Sequence, residues 1–482
     1  MGCLPFFSVE TWILLITFIC IFVIYGNWTH GIFENLGIPG PKPYTYWGTI
    51  VYKSFHRFDI KTKMYEFRSP MLAVMDPDML KTILVKQCFT YFTNRRNIRL
   101  NGDLYDSVST VEDDHWRRIR NVLTPSFTSG HIKEMFKIMK HLSSKLTASL
   151  QSKAQNNEVV TIKDYFGAYS VDVMASCAFS VDMDSINNHS SPIIFHASRF
   201  FKFPQFVLIL QGIFPVLIPL FELLGISFFS PTSTAFFKTI LAKIKAEREG
   251  STHKVCTTNL GLTDHEILTQ ATMFMVAGYE TSATTLAFLA YNLARNPEVM
   301  KRLQEEIDST FPNKGAVRYE ELLQMEYLDS VVNESMRLYP PAGRLDRVAK
   351  KTVEIRGITI PKDMIVMIPV YALHRDPDLW PEPEEFKPDR FSKQNKRSIN
   401  PYTYLPFGTG PRNCLGMRFA LVLVKLALVE VLQNYSFSVC GETEIPLTMD
   451  PGGLVGPLNP IKLKQRLKST MGLISCTHNR AP

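Results

Sequence analysis

One segment near the C-terminal end, the cysteine loop of residues 407–416, constrains this chain more than any other. It reads FGTGPRNCLG and fits the pattern F-x-x-G-x-R-x-C-x-G, which is hard to reach by chance. Gly408 and Gly410 permit a tight loop with close backbone approach. A helical pattern follows from Met417, so Cys414 precedes a helix N-terminus, where the dipole and free N–H groups stabilise a thiolate. The segment predicts a loop that holds a charged sulfur against a flat metal-containing ring. A buried cysteine in a glycine-rich turn is the alternative.

The rest of the chain has the pattern of one large, helix-rich body. It contains 482 residues, 45% of them hydrophobic, so a sizeable core can form. From about Asp76 the apolar spacing is mostly helical, for example at 135–150, 267–296 and 297–309. Short strand-like runs at 353–360 and 365–370 are bounded by Gly or Pro. These patterns predict a mainly α fold with small peripheral β-sheets.

The N-terminal region predicts a membrane anchor. Residues 11–28 form an 18-residue run without a charge, close to the length that a helix needs to span a bilayer. A cleaved signal peptide fits poorly, because a basic flank and a small-residue cleavage site are missing. Lys42, Lys53 and Arg57 follow the run and no Lys or Arg precedes it, which places the body in the cytoplasm. We therefore expect a single-pass anchor at 1–37, a proline-rich hinge at 38–43 and the body at 44–482.

Three further features limit the setting of the protein. The eight cysteines form no C-x-x-C pair, which is typical of a reducing compartment. A second apolar run, 206–229, contains Pro215, Pro219 and Glu222, which favour a buried cap or a membrane-dipping surface over a second span. The net charge of +8 is compatible with simple solubility, with attraction to an anionic membrane leaflet or with an acidic partner. The sequence contains no basic tract with interleaved aromatics of the kind that nucleic-acid-binding proteins have.

A pentapeptide in the long helical pattern, AGYET at 277–281, contains groups that suit oxygen chemistry. Gly278 weakens the helix interior, and Thr281 can bond back to a carbonyl one turn earlier. Together they can open a local groove for O₂ and water. An acid, Glu280, beside a hydroxyl suits proton delivery. Alone, the pentapeptide equally fits a helix with a packing glycine and a surface glutamate.

The cysteine loop with its flank, FGTGPRNCLGMRFAL, and the AGYET segment resemble the cytochrome P450 superfamily, and within it the vertebrate microsomal family 3 enzymes (3A-like). The resemblance covers nearly all of the chain from the anchor onward. It implies the cytochrome P450 fold, with haem b as the prosthetic group and Cys414 as the axial ligand of the haem iron. By the same resemblance, Phe407 shields the sulfur and Arg412 pairs with a haem propionate.

The resemblance also implies roles for other residues. It assigns Thr281 and Glu280 to proton relay, and Ala277 and Gly278 to the haem face. Further propionate contacts are implied for Arg95, Trp116, Arg120 and Arg347. A buried structural group is implied for Glu334 and Arg337, closed by Arg390, with Asp389 standing where the family usually has Glu. As isolated residues, the cations fit solvated surface charges equally well.

The implied activity is that of an NADPH-dependent monooxygenase acting on lipophilic molecules such as steroids, xenobiotics or fatty acids. The chain shows no G-x-G-x-x-G fingerprint, so NADPH and flavins are expected on a separate partner, NADPH–cytochrome P450 reductase. Arg418 and Lys425 are predicted contacts of that reductase, and cytochrome b5 is a second predicted partner. The expected location is the endoplasmic reticulum (microsomal) membrane, with the catalytic body facing the cytoplasm.

Three alternatives stay open from the sequence. A haem-thiolate isomerase of the thromboxane-synthase kind would need neither reductase nor proton relay. An inactive haem or lipid binder would follow if two regions that are short for the family, near 57–71 and 249–263, damage the site. A thiol enzyme using Cys414 would hold no haem, and no histidine is patterned near that cysteine.

Overall fold

The structure is a computed structural model that describes residues 8–49, 61–188, 190–201, 205–249, 261–450 and 453–468. Its α-helices are α1 Val9–Asn27, α2 Ile32–Asn35, α3 Pro77–Lys81, α4 Cys88–Tyr91, α5 Asp113–Leu123, α6 Ser129–Ser149, α7 Gln151–Gln155, α8 Ile162–Phe179, α9 Pro192–Arg199, α10 Gln205–Ile213, α11 Ile218–Leu223, α12 Pro231–Glu249, α13 Asp264–Arg295, α14 Pro297–Thr310, α15 Tyr319–Gln324, α16 Glu326–Leu338, α17 Val370–Leu373 and α18 Met417–Asn434. Its β-strands are β1 Lys61–Glu66, β2 Ser69–Val74, β3 Val159–Thr161, β4 Leu345–Val348, β5 Val353–Ile355, β6 Ile358–Ile360, β7 Ile365–Ile368, β8 Tyr435–Ser438 and β9 Lys462–Leu467.

Helix α13 is the central element of the fold. Thr263 and Glu266 begin it with a capping box, in which each side chain accepts from the backbone N–H of the other. Every residue from 282 to 294 is buried, as expected for a helix surrounded by other helices. Helices α8, α16 and α18 pack against it, and the main hydrophobic cluster includes residues of all four. The predicted helices at 267–296 and 297–309 correspond to α13 and α14.

The strands form three small sheets, with orders β1-β2-β7-β4, β3-β9-β8 and β5-β6. Strands β2 and β7 run parallel with Leu72 opposite Val366, and the other pairs are antiparallel. The predicted run at 353–360 is a hairpin of β5 and β6, because Arg356 and Gly357 both take the positive φ that a two-residue turn requires. The expectation of a mainly α fold with small sheets is confirmed.

Helix α1 covers most of the predicted anchor. Its most apolar window has a mean hydropathy of 2.2 with 6% of its residues buried, so it is long and apolar enough to cross a membrane. Residues 44–46 fold back against its end, where the rings of Phe22 and Tyr46 lie 4.3 Å apart. A Cβ on Gly26 would lie 2.7 Å from Thr45 Cγ2, which explains a glycine at this crossing. The proline-rich segment therefore turns the chain back onto the anchor.

The second apolar run is broken and is not one straight helix. Helices α10 and α11 are joined through a 3-10 turn at Pro215–Leu217, with a bend of 114° between the two halves. Its large exposed apolar side chains are Phe206, Val216, Leu220, Leu223 and Leu224. Phe214 stacks on Tyr25 at the end of α1, with ring centroids 6.0 Å apart. The run therefore lies beside the end of α1.

The structure describes only part of the two regions that are short for the family, near 57–71 and 249–263. Residues on the C-terminal side of the first region form the β1–β2 hairpin, with Lys63 opposite Leu72. Residues 50–60 and 250–260, on which the rest of this prediction falls, lie outside the described residues.

Candidate active site

The cysteine loop is closed by backbone hydrogen bonds. Cys414 N–H donates to Phe407 O at 2.9 Å, and Asn413 N–H donates to Gly410 O at 3.0 Å. Gly408 and Gly410 have φ of 65° and 76°, a region that favours glycine. A Cβ on Gly410 would lie 2.0 Å from Leu84 O, in the π-helical turn Thr82–Lys86. The glycines therefore allow both the turn and its close approach to the N-terminal half of the chain.

The side chain of Cys414 is only partly covered by the protein. Neighbouring atoms enclose the side chain, yet it keeps exposed surface. Burial raises the pKa of the thiol, while the Gly416 N–H and the charges of Arg95 and Arg120 lower it. Helix α18 begins directly after the loop at Met417, as predicted.

Four arginines from distant parts of the chain surround the loop. Arg95 Nη2 donates to Arg412 O at 3.0 Å, and Arg120 Nη2 on α5 donates to Asn413 Oδ1 at 3.0 Å. Arg347 on β4 is 1% exposed and donates to Asp346 O at 2.8 Å. The structure thus brings together all four arginines that the resemblance assigns to haem propionates.

Arg412 is buried, and each nitrogen of its guanidinium donates a hydrogen bond within the protein. Its guanidinium donates to the carbonyls of Thr93 at 2.8 Å, Val108 at 3.2 Å and Val111 at 2.8 Å. It also lies 4.1 Å from the ring centroid of Trp116, a cation–π distance. Trp116, a fifth predicted propionate contact, therefore lies within the same group.

The electrostatics of this cluster favour the binding of an anion. Burial and the charges of Arg95 and Arg347 lower the pKa of Arg412 to about 9, and burial and Arg95 lower that of Arg347 to about 10. Within the described part of the chain, none of the four arginines has a carboxylate at ion-pair distance, and Arg347 Nε is buried without a hydrogen-bond partner. Buried guanidiniums need anionic partners, and carboxylates fit them best. The cluster therefore fits a bound group with carboxylates, such as the propionates of haem.

The AGYET segment lies in the middle of α13. Thr281 Oγ1 donates to Ala277 O at 2.7 Å, which confirms the predicted bond to a carbonyl one turn earlier. Ala277 is exposed although Val276 and Tyr279 beside it are buried, so this face of the helix borders an open space. Thr281 lines one cleft together with Phe407 of the cysteine loop. The two motifs predicted from sequence therefore meet.

Comparison with known proteins gives a consistent result over nearly the whole chain. The profile of the cytochrome P450 family matches residues 51–465. Cytochrome P450 3A27 of Oncorhynchus mykiss is 53% identical, with 96% of each chain covered. Cytochrome P450 3A30 of Fundulus heteroclitus is 53% identical over 95% of this chain and 98% of that protein, and cytochrome P450 3A29 of Sus scrofa is 47% identical over 96% and 98%.

The chain belongs to the cytochrome P450 family. It is a P450 monooxygenase, and haem b is the prosthetic group of its family. The predicted resemblance to 3A-like enzymes is confirmed.

In this P450, Glu280 is held by a residue that sequence reasoning missed. Lys163 Nζ, on α8, bonds Glu280 Oε1, and Thr284 Oγ1 donates to the same oxygen at 3.3 Å. The carboxylate therefore points to α8, while Thr281 lies at the cleft with Phe407. Lys163 is 117 positions away in the chain, so no local pattern signals it.

Gly278 lies where α13 and α8 approach each other. A Cβ there would be 2.5 Å from Met174 Sδ, and a Cβ on Gly167 of α8 would be 2.9 Å from Tyr279 Cε2. Gly278 therefore allows close packing of the two helices, which was the alternative interpretation of the AGYET segment given above. Its assignment to the haem face stays a prediction.

The predicted structural group on α16 is confirmed. Arg337 and Glu334 are both fully buried and joined by two hydrogen bonds of 2.8 and 2.9 Å, and Arg390 Nε lies 3.3 Å from Glu334 Oε1. Asp389 binds Arg302 at 2.9 Å on the surface, so the change from Glu does not touch the group.

The prediction that Lys425 contacts a reductase is wrong. Lys425 is 4% exposed, and its Nζ lies 3.0 Å from Asp329 Oδ1, so it is an internal ion pair between α18 and α16. Arg418 is exposed and donates to Ser129 Oγ at 3.3 Å, which leaves it available on the surface.

Proposed function

We propose that this P450 is a haem-thiolate monooxygenase that inserts one oxygen atom of O₂ into lipophilic substrates, with electrons from NADPH through a separate reductase. The observation that carries this proposal is the cluster of Arg95, Arg120, Arg347 and Arg412 beside Cys414, in which Arg347 and Arg412 are buried and no arginine has a carboxylate at ion-pair distance among the described residues. Such a cluster is costly unless an anion binds it. Haem supplies two carboxylates and a metal that takes a thiolate.

In this proposal, Cys414 would bind the haem iron through its sulfur, and Phe407 would shield that sulfur. The four arginines and Trp116 hold the propionates, through charge-assisted bonds and the indole N–H. Bound haem supplies oxygen activation, which thiolate ligation favours. The protein contributes the orientation of the group, through residues from α5, β4 and the loop.

The proton path is assigned to Thr281 and Glu280. The hydroxyl of Thr281 donates its proton to Ala277 O. Its oxygen can therefore still accept a hydrogen bond from water or from another donor at the cleft. Glu280 exchanges protons with solvent on the α8 side, since its side chain is 23% exposed next to Lys163. Rotation of Glu280 away from Lys163 would deliver a proton to the Thr281 side of the helix.

A lipophilic substrate is proposed from the similarity to P450 3A enzymes, while the aromatic side chains between α9 and α12 belong to the buried core. Phe200 and Phe229 are in contact, with ring centroids 5.3 Å apart, and Phe200 and Phe237 lie 6.1 Å apart. Phe228 N–H donates to Leu100 O at 2.6 Å, which joins this group to the segment before α5.

The proposed setting is the endoplasmic reticulum membrane, with the body in the cytoplasm. Helix α1 provides the anchor, and the exposed apolar side chains of α10 and α11 beside it provide a membrane-dipping surface. The boundaries proposed for anchor, hinge and catalytic body are 1–37, 38–43 and 44–482. NADPH–cytochrome P450 reductase and cytochrome b5 are the proposed partners, with Arg418 as one contact.

The carbon monoxide difference spectrum of the reduced, membrane-expressed protein tests this function, beside a Cys414→Ser control. We expect a thiolate-type Soret band that the control lacks. Turnover that requires NADPH and reductase then separates a monooxygenase from an isomerase of the thromboxane-synthase kind. A missing thiolate-type band in the wild type would refute the proposal.

A further inference from the structure

His374 lies between the buried charge group of α16 and the start of the cysteine loop. It follows α17 and is fully buried. Its Nε2 accepts from Leu405 N–H at 2.8 Å, and its Nδ1 lies 3.2 Å from Arg337 O. Arg337 Nη1 donates in return to His374 O at 2.8 Å. The histidine is therefore bonded on both sides, once through each ring nitrogen.

These contacts fix the tautomer of the ring. Leu405 N–H can only donate, so Nε2 carries no proton, and the proton on Nδ1 donates to Arg337 O. Burial, together with the charges of Arg337 and Arg375, lowers the pKa of His374 to about 3, so the ring is neutral at physiological pH. Tyr404 stacks on it with ring centroids 5.3 Å apart, which limits rotation.

Leu405, the residue bonded to His374, makes the hydrogen bond that begins the cysteine loop. Leu405 O accepts from Gly408 N–H at 3.0 Å, and Phe407 O accepts from Cys414 N–H at 2.9 Å. A continuous set of hydrogen bonds thus runs from the Glu334–Arg337 pair through His374 and Leu405 to the cysteine. Sequence patterns did not indicate this histidine.

We propose that His374 is a positioning residue that fixes where the cysteine loop begins, and thereby keeps the Cys414 sulfur in place as an iron ligand. This rests on the proposed haem-thiolate function. Without an acceptor at Nε2, the buried Leu405 N–H has no hydrogen-bond partner. This costs free energy, which a shift of the loop would relieve. The consequence is loss of thiolate ligation before loss of the fold.

The test uses the full-length, haem-bound protein with His374→Phe and His374→Gln. The measurement is the rate at which the reduced carbon monoxide complex changes from the thiolate-type Soret band to the band of a non-thiolate ligand. We expect His374→Phe to raise this rate roughly tenfold, because a buried donor loses its acceptor. His374→Gln keeps an amide oxygen for Leu405 N–H and is expected to lie nearer the wild type.

His30→Phe is the matched control, because His30 is also a buried histidine but lies beside the end of α1, bonded to Asn27 and with its ring 5.0 Å from that of Tyr65. It is expected to lower the melting temperature and to leave the rate of band conversion unchanged. If His374→Phe and His30→Phe raise the rate equally at equal loss of melting temperature, or if His374→Gln converts as fast as His374→Phe, the proposal is overturned.

A measurement on the unmutated holoenzyme covers the case in which His374→Phe does not fold. Hydrogen exchange of the Leu405 amide at the slow rate of the core supports the bond to His374, and exchange at the rate of an open loop overturns it. Failure of the proposed function itself looks different, since the wild type would then show no thiolate-type band at all.

Discussion

Alanine at Gly410, with Gly408→Ala as its matched control, tests whether steric contact or turn geometry limits the cysteine loop. Both glycines have positive φ, so alanine carries a similar conformational cost at either, about 1–2 kcal/mol. A Cβ on Gly408 would meet its nearest neighbour, Leu345 Cδ1, at 3.6 Å, an ordinary contact. A Cβ on Gly410 would lie 2.0 Å from Leu84 O and 2.9 Å from Leu84 C. These are backbone atoms of a helical turn, so they cannot rotate away.

We therefore expect Gly408→Ala to reduce the free energy of unfolding by about 1–2 kcal/mol. Gly410→Ala should reduce it by more than about 4 kcal/mol, the range that severe overpacking reaches. Thermal unfolding of the haem-bound proteins gives both values, and the thiolate-type Soret band of the reduced carbon monoxide complex reports whether the loop is intact. Equal losses in the two variants would refute the reasoning, because they share the backbone conformation and differ in the contact with Leu84.

Three further predictions follow from buried or paired charges. Asp329→Asn should cost about 3–5 kcal/mol by leaving Lys425 buried and unpaired, and adding Lys425→Met should restore much of it in a thermal-unfolding double-mutant cycle. Lys163→Met should lower product formed per NADPH and raise released peroxide several-fold, because Glu280 loses its orientation, whereas Lys153→Met, at an exposed pair with Glu158, should change neither. His374 has a pKa lowered from 6.5 to about 3 in the folded protein. As the pH falls, the histidine is therefore protonated in the unfolded chain before it is protonated in the folded one. Stability present above pH 6.5 is then lost as pH falls, by roughly 1.4 kcal/mol per unit relative to His374→Gln. A flat difference between these two proteins in acid-unfolding titrations would contradict it.

The parts of the fold that the sequence predicted are those with a local signal. The helix at 267–296 was predicted from its apolar spacing alone, and α13 begins three residues earlier at Asp264, after a Thr263–Glu266 capping box that the prediction did not use. The turn inside 353–360 was missed although Gly357 marks it, because strand-like residues continue on both sides. The cysteine loop was visible because its glycines, arginine and cysteine lie within ten consecutive positions.

Partners distant in the chain could not be predicted from single residues. Lys425 was interpreted as a surface contact from its charge alone. The residues three or four positions from it in the helix are all apolar, namely Leu421, Val422, Leu428 and Val429. That spacing already places it on a buried face, and burial requires a partner such as Asp329. Lys163 and His374 carry no such signal, since their contacts depend on how α8 and α17 pack.

The arginine cluster shows why the site and the fold have different physical requirements. If stability alone were selected, apolar residues would replace Arg95, Arg347 and Arg412, because buried cations without anions destabilise a folded chain. Burial and their mutual repulsion lower the pKa values of Arg347 and Arg412. A bound dianion removes that repulsion and adds charge-assisted bonds, so its binding free energy becomes folding free energy around the loop. In the proposed function, the cysteine loop, Arg120 on α5 and Arg347 on β4 are therefore stabilised together by the group they would bind, in addition to the bond between Arg120 and Asn413.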